Sequence, residues 1–126
     1  MKTIILDTNA LMSIGQFKLD IFSELERICD FKYETNVLAG SVEELNKIID
    51  QQKGKHRLNA KLALDILKKK KIKIMRSGSE PVDDQLVKLA EKGAVIVTQD
   101  KILKKRIKAV DGQLIMIRQQ QKLVWA

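Results

Sequence analysis

Five carboxylates stand where a chain of alternating strands and helices would bring them to one edge. Asp7 abruptly ends the apolar run Thr3-Ile4-Ile5-Leu6. Glu44 lies near the start of an amphipathic segment, Asp83 and Asp84 open another, and Asp100 directly follows Ala-Val-Ile-Val-Thr-Gln. Taken singly, each has a structural use. An aspartate before a helix caps it for about 1 kcal/mol, and acids in a first turn complement the helix dipole. Taken together they are poor structural material, because carboxylates sharing a cleft repel one another and raise each other's pKa unless a cation neutralises them. Oxygen donors without paired His or Cys suit Mg²⁺ or Mn²⁺. Such an ion facing a polyanion suits phosphodiester hydrolysis.

The elements that must deliver these acids follow from periodicity. Residues 2–6 read as a buried strand, and Phe17, Ile21, Leu25 and Ile28 give residues 16–29 helical spacing. A short strand is expected over 32–36. Ser41 with Glu44 three residues on has the form of a capping box, opening a helix with Val42, Leu45, Ile48 and Ile49 inward. A turn follows at 51–55, then a helix over 57–70 with Ala60, Ala63, Leu64 and Leu67 inward. Next come a strand at 72–75, a loop at 77–81, and a helix with Pro81 in its first turn that stops at Gly93. Residues 94–98 form the clearest buried strand after the first. A basic helix begins at Lys101, a strand spans 114–117, and the tail is polar. Strands alternating with helices imply right-handed crossovers and a mostly parallel sheet covered on both faces. In such folds function gathers beyond the carboxyl ends of the strands, where Asp7 and Asp100 stand.

Composition narrows the setting. The chain has 126 residues, enough for one domain over 1–126 with one sizeable core. No apolar run approaches the ~20 residues of a membrane span. The start lacks a signal-peptide pattern. Cys29 is the only cysteine, so there is no disulfide framework, and a cytoplasmic setting is expected. A net charge of +8 favours a polyanionic partner.

Four stretches resemble the PIN-domain ribonucleases: IILDTNAL, SVEELNKI, VDDQLVKLA and IVTQDKILKKRI. They occur in family order across residues 4–106. The resemblance implies a three-layer α/β/α fold with a central, mostly parallel sheet of about five strands in the order 3-2-1-4-5. It implies an endoribonuclease whose catalytic acids are Asp7, Glu44, Asp84 and Asp100 around one or two Mg²⁺ or Mn²⁺ ions. Asp84 is expected as the ligand of the tandem pair, with Asp83 reaching the metal through water, while Asn9 and Thr98 orient the carboxylates or a metal-bound water. Within the family the chain looks most like the archaeal and eukaryotic branch tied to small-subunit rRNA processing, with toxin nucleases close by. Those branches imply an RNA substrate such as an rRNA precursor, a homodimer, and a small antitoxin or ribosome-assembly partner. One departure is Ala39-Gly40, where the family usually has proline or another turn former before the helix.

Basic residues form groups at Lys68–Lys71, at Lys101, Lys104, Lys105 and Arg106, and around Lys55, His56 and Arg57. The last two are the expected RNA contacts, binding phosphates in a salt-sensitive way. A lysine run is as often a solvated helix face. His56 reads as a surface residue touching RNA and not as a catalyst, and with few aromatics base stacking is expected to be minor. The competing reading is a PIN-fold RNA-binding or assembly module with little nuclease activity. A haloacid-dehalogenase-type phosphatase fits poorly, since it wants a second aspartate where Asn9 stands. A receiver domain wants a phosphorylatable aspartate after the third strand, where Met75-Arg76-Ser77-Gly78 stands.

Overall fold

The computed structural model describes residues 1–76 and 78–126. Six strands form one sheet in the order β3-β2-β1-β4-β5-β6. They are β1 (Lys2–Leu6), β2 (Tyr33–Leu38), β3 (Lys73–Met75), β4 (Val95–Val97), β5 (Gln113–Arg118) and β6 (Lys122–Trp125). The first five run parallel, and β6 returns antiparallel along β5. The expected order is therefore present, extended by a sixth strand in the tail that was read as polar. Its signal is weak because only Leu123 of β6 is buried, while Lys122 and Trp125 are exposed.

Alternation along the strands divides the core into two layers. Ile4 and Leu6 of β1 and Val95 and Val97 of β4 face one cluster, and Ile5 and Ile96 face the other. The first layer holds α1 (Thr8–Gln16), α2 (Ile21–Ile28), α3 (Ala39–Gln51) and α4 (Lys55–Lys69). The second holds α5 (Val82–Glu91) and α6 (Lys101–Ala109). The chain thus winds from β1 through β2 to β3 beneath one face, then crosses to β4 and β5 beneath the other. The reversal lies between β1 and β4, where open α/β sheets leave a crevice at their carboxyl edge.

Three local expectations are corrected. The helix read over 16–29 begins only at Ile21, because α1 runs to Gln16 and Lys18 then takes a left-handed φ of 51°. Asp20 then restarts the chain as the cap of α2, accepting from the Ser23 backbone N–H at 3.1 Å. The capping box at Ser41 is absent. α3 begins at Ala39 with no side-chain cap, and the Ser41 hydroxyl is buried without a hydrogen-bond partner among the described residues. The second strand runs to Leu38, two residues further than expected, because Val37 and Leu38 pair with Ile74 and Met75 of β3. In the loop expected over 77–81, Ser77 lies outside the described residues. No helix among the described residues is long and apolar enough to cross a membrane.

Candidate active site

β1 is buried on both faces, so its end is stiff, and Asp7 inherits that stiffness. Asp7 caps α1, its Oδ1 accepting from the Ala10 backbone N–H at 2.7 Å. Its Oδ2 accepts from the hydroxyl of Thr98 at the end of β4. The same Thr98 Oγ1 accepts from the Asp100 backbone N–H at 3.0 Å. Asp100 in turn caps α6, its Oδ1 accepting from the Leu103 N–H at 3.0 Å. One buried hydroxyl therefore ties together the acids of two adjacent strand ends. The capping role foreseen as a structural use is present at both aspartates, and it fixes each side chain in one rotamer without using all its lone pairs.

A cleft of about 280 Å³ opens over this pair, lined by Asp7, Glu44, Asp83 and Asp100. Four elements contribute these acids: the end of β1, the first half of α3, the first turn of α5 and the segment after β4. Asp7 is 5% exposed, and burial pushes its carboxyl from 3.8 up to about 7. Thr98 and the Ala10 N–H pull the other way, while Asp83 and Asp100 add repulsion. Desolvation also raises Glu44 and Asp83, with Asp83 acting on Glu44 and Asp100 acting on Asp83. The carboxylates thus destabilise one another's charge, as acids awaiting a cation do. The Thr8 hydroxyl is buried here without a well-formed hydrogen bond among the described residues, although it lies near enough to Glu44 to favour that carboxylate.

The tandem acids divide opposite to expectation. Asp83 lines the cleft, whereas Asp84 Oδ1 accepts from Arg106 Nη2 at 2.7 Å on the outer surface of α5 and α6. The helical face set by Leu86 and Ala90, both buried, decides which acid points in. Asn9 lines the cleft as expected. No lysine or arginine is among its lining residues, although Lys101 and Lys55 are chain neighbours of Asp100 and His56, which do line it. Lys101, Lys105 and Lys55 are exposed, and Lys104 is half-buried. Arg106 is occupied by Asp84, and Arg57 Nη1 donates to the Ile49 carbonyl at 2.9 Å, so both expected RNA contacts have structural partners.

Met12, Gln16 and Ile48 line the cleft without a sequence expectation behind them, and so does His56, which is exposed as expected of a surface residue. The signal was available for three of them. Thr8, Met12 and Gln16 recur every four residues on α1, and Ile48 follows Glu44 by four on α3, so each set shares one face.

A family model described as a PIN like domain matches residues 4–120. The chain belongs to the PIN-like domain family. Two relatives carry ribonuclease names. Ribonuclease VapC4 of Methanocaldococcus jannaschii is 28% identical over 123 residues, covering 94% of this chain and 92% of the relative. Ribonuclease VapC9 of Archaeoglobus fulgidus is 32% identical over 106 residues, covering 82% and 74%. Among solved structures, the PIN domain endonuclease Utp24 superposes with a TM-score of 0.78 at 23% identity, covering 98% of this PIN-like domain and 90% of that chain. At that identity the likeness speaks to the fold alone.

The donor set of this PIN-like domain fits a hard divalent cation. It is all oxygen, one member is buried, and Asp83 and Asp100 raise the cost of charge on Asp7, as Asp83 does on Glu44. Among the described residues no three acids or histidines close into a ready-made metal cage. Mg²⁺ does not require one, since it keeps several waters and is commonly held by one or two carboxylates together with substrate phosphate.

Proposed function

We propose that this PIN-like domain is a divalent-metal-dependent endoribonuclease. The observation that carries the reading is the delivery of four carboxylates from four elements to one cleft around the buried Asp7. Asp7, Asp83 and Asp100 are the proposed metal-holding acids, and Glu44 is placed to accept a proton across the cleft. Asp84 is left outside this set by its pairing with Arg106. A bound Mg²⁺ or Mn²⁺ supplies activation of water and neutralisation of phosphate charge. The chain's own residues do the rest. Thr98 holds the Asp7 carboxylate in one orientation, which limits the reorganisation needed when substrate arrives. Asn9 offers an uncharged amide to a phosphate oxygen without adding another negative charge. Lys55 and Lys101, next in the chain to the cleft residues His56 and Asp100, are the proposed contacts to the RNA backbone, with Lys104 and Lys105 further along α6, and such contacts weaken with salt.

The ribonuclease names of the two relatives support RNA as the substrate. Two cellular roles follow from the motif resemblance: processing of an rRNA precursor and toxin-type cleavage checked by a small antitoxin. Asp7-dependent growth arrest on expression in a host marks the toxin role, and maturation of a precursor rRNA end marks the other.

The direct test is cleavage of single-stranded and structured RNAs with Mn²⁺, wild type against Asp7→Asn. Removing the central acid is expected to lower the rate at least about 100-fold, and chelation with EDTA to abolish it. Equal cutting by wild type and variant sinks the acid-cluster mechanism. Salt-sensitive RNA binding without metal-dependent cutting of any RNA makes the domain a binding module instead.

A further inference from the structure

We infer that the hollow between the end of α1 and the β5–β6 turn is a nucleobase subsite, which seats an unpaired base of the RNA strand as it leaves the catalytic cleft. The inference rests on the ribonuclease reading above and adds where the strand runs and how its bases are read. The hollow has a volume of about 320 Å³ and is lined by Gln16, Phe17, Lys18, Gln119, Gln120 and Gln121. Gln16 also lines the catalytic cleft, so one side chain forms the wall common to both. A strand held at Asp7 and Asp100 therefore has a continuous path over Gln16 into the second hollow.

The lining has the chemistry of an unpaired base and its phosphate. Phe17 is half-buried and offers a ring to stack on, and stacking is the main sequence-tolerant source of affinity for single strands. Four carboxamides surround it, each carrying both a donor and an acceptor, as the edges of bases require. Among the described residues none of these four side chains has a hydrogen-bond partner, so their donors and acceptors are free for a ligand. Lys18 supplies a positive charge beside them, and there is no carboxylate in the lining to repel a phosphate.

The turn itself is an independent sign. Gln119 and Gln120 take φ values of 54° and 59°, and the turn closes with the Gln121 N–H on the Arg118 carbonyl at 3.1 Å. Hairpin turns with both central residues left-handed strongly favour Asn-Gly, because a Cβ crowds the following carbonyl oxygen there, a cost that glycine avoids and asparagine offsets by local hydrogen bonding. Two glutamines held in that conformation mark a position where the side chain is worth more than an easy turn.

The test uses the full chain in two variants, Gln119→Asn/Gln120→Gly and Phe17→Leu. The first removes two long carboxamides while giving the turn its favoured residues, so its melting temperature is expected to stay level or rise. Metal-free affinity for a fluorescent single-stranded RNA is expected to fall about fivefold or more in Phe17→Leu. Sequencing the cuts made in a randomised RNA pool with Mn²⁺ is expected to show a base preference next to the cut in wild type, reduced in the turn variant. Wild-type RNA cleavage with unchanged affinity in Phe17→Leu and unchanged cut preferences in the turn variant overturns the subsite and leaves the nuclease reading standing. No RNA binding or Asp7-dependent cleavage by the wild type overturns both.

Discussion

Thr98 Oγ1 donates to Asp7 Oδ2 across 91 residues of sequence and, with its lone pairs, accepts from the Asp100 N–H. Its own hydroxyl is fully buried, so it has no water to turn to if either bond is lost. Thr98→Val keeps the shape and removes the hydroxyl. It is expected to cost about 1–3 kcal/mol of stability by chemical denaturation. Because the Thr98 bond lowers the Asp7 pKa, its loss is also expected to move the alkaline-favouring limb of the cleavage–pH profile upward. An unchanged profile would mean that Asp7 ionisation does not govern the rate.

The Asp7 shift sets a pH dependence of the metal-free fold. Burial raises its pKa from 3.8 to about 7, so between those values the folded chain keeps a proton that the unfolded chain releases. The folded state then binds more protons, and stability falls as pH rises through the window. The raised Glu44 and Asp83 act in the same direction. In EDTA the melting temperature is expected to decline from about pH 5 to pH 7, with a shallower decline in Asp7→Asn. Mn²⁺ is expected to restore the loss at pH 7.5 in wild type and much less in the variant. A melting temperature that climbs over this range in EDTA contradicts the assignment.

Asp83 and Asp84 are adjacent and face different ways, which makes them an internal control. Asp83→Asn is expected to reduce cleavage about 100-fold or more by removing a cleft carboxylate. Asp84→Asn only weakens a surface pair with Arg106, both side chains being 42% exposed, so its stability cost is expected to stay below about 1 kcal/mol. Its cleavage is expected to remain within a few-fold of wild type. The reverse ranking in a kinetic assay would restore Asp84 as the working acid.

Asp100 both caps α6 and faces the cleft, and one substitution separates the two duties. Asparagine caps a helix as well as aspartate does. Asp100→Asn is therefore expected to change stability by under about 0.5 kcal/mol while cutting falls steeply. A comparable loss of both would mean that the acid serves mainly the fold.

Gly15 lets α1 lie against α4. A Cβ there would meet the Asn59 side chain and sit 3.2 Å from its Cα, a backbone atom that does not swing away. Gly15→Ala is expected to cost about 1–3 kcal/mol, read from denaturant midpoints. Since Gln16 on α1 and His56 on α4 stand either side of this contact, the Michaelis constant for RNA is expected to rise as well.

The acids at strand ends were legible because they depend on only two periods, the strand's and the crossover's. Asp7, Asp83 and Asp100 share the carboxyl edge as a consequence of parallel winding. What escaped was rotation and return. Whether Asp83 or Asp84 points inward is a question of about 100° around a helix axis, settled by Leu86 and Ala90 packing on the sheet. The break between α1 and α2 depends on a left-handed Lys18, a residue type that carries no such signal. β6 escaped because its support is tertiary. Glu24 accepts from the Leu123 N–H at 2.9 Å, Arg27 donates to the Leu123 carbonyl at 3.0 Å, and the Trp125 indole donates to the Ile28 carbonyl at 3.1 Å.

That clasp has a consequence for synthesis on the ribosome. α2 emerges early, yet the groups that Glu24 and Arg27 bind arrive almost a hundred residues later. Contacts of such separation form slowly, since a long loop must close before they repay it. The Asp7 carboxyl waits similarly for residue 98. A nascent chain can therefore make helices one after another while its sheet edge stays open and its acids stay unassembled. The acid cleft is thus a late product of folding, complete only once the segments around residues 7 and 98 have met.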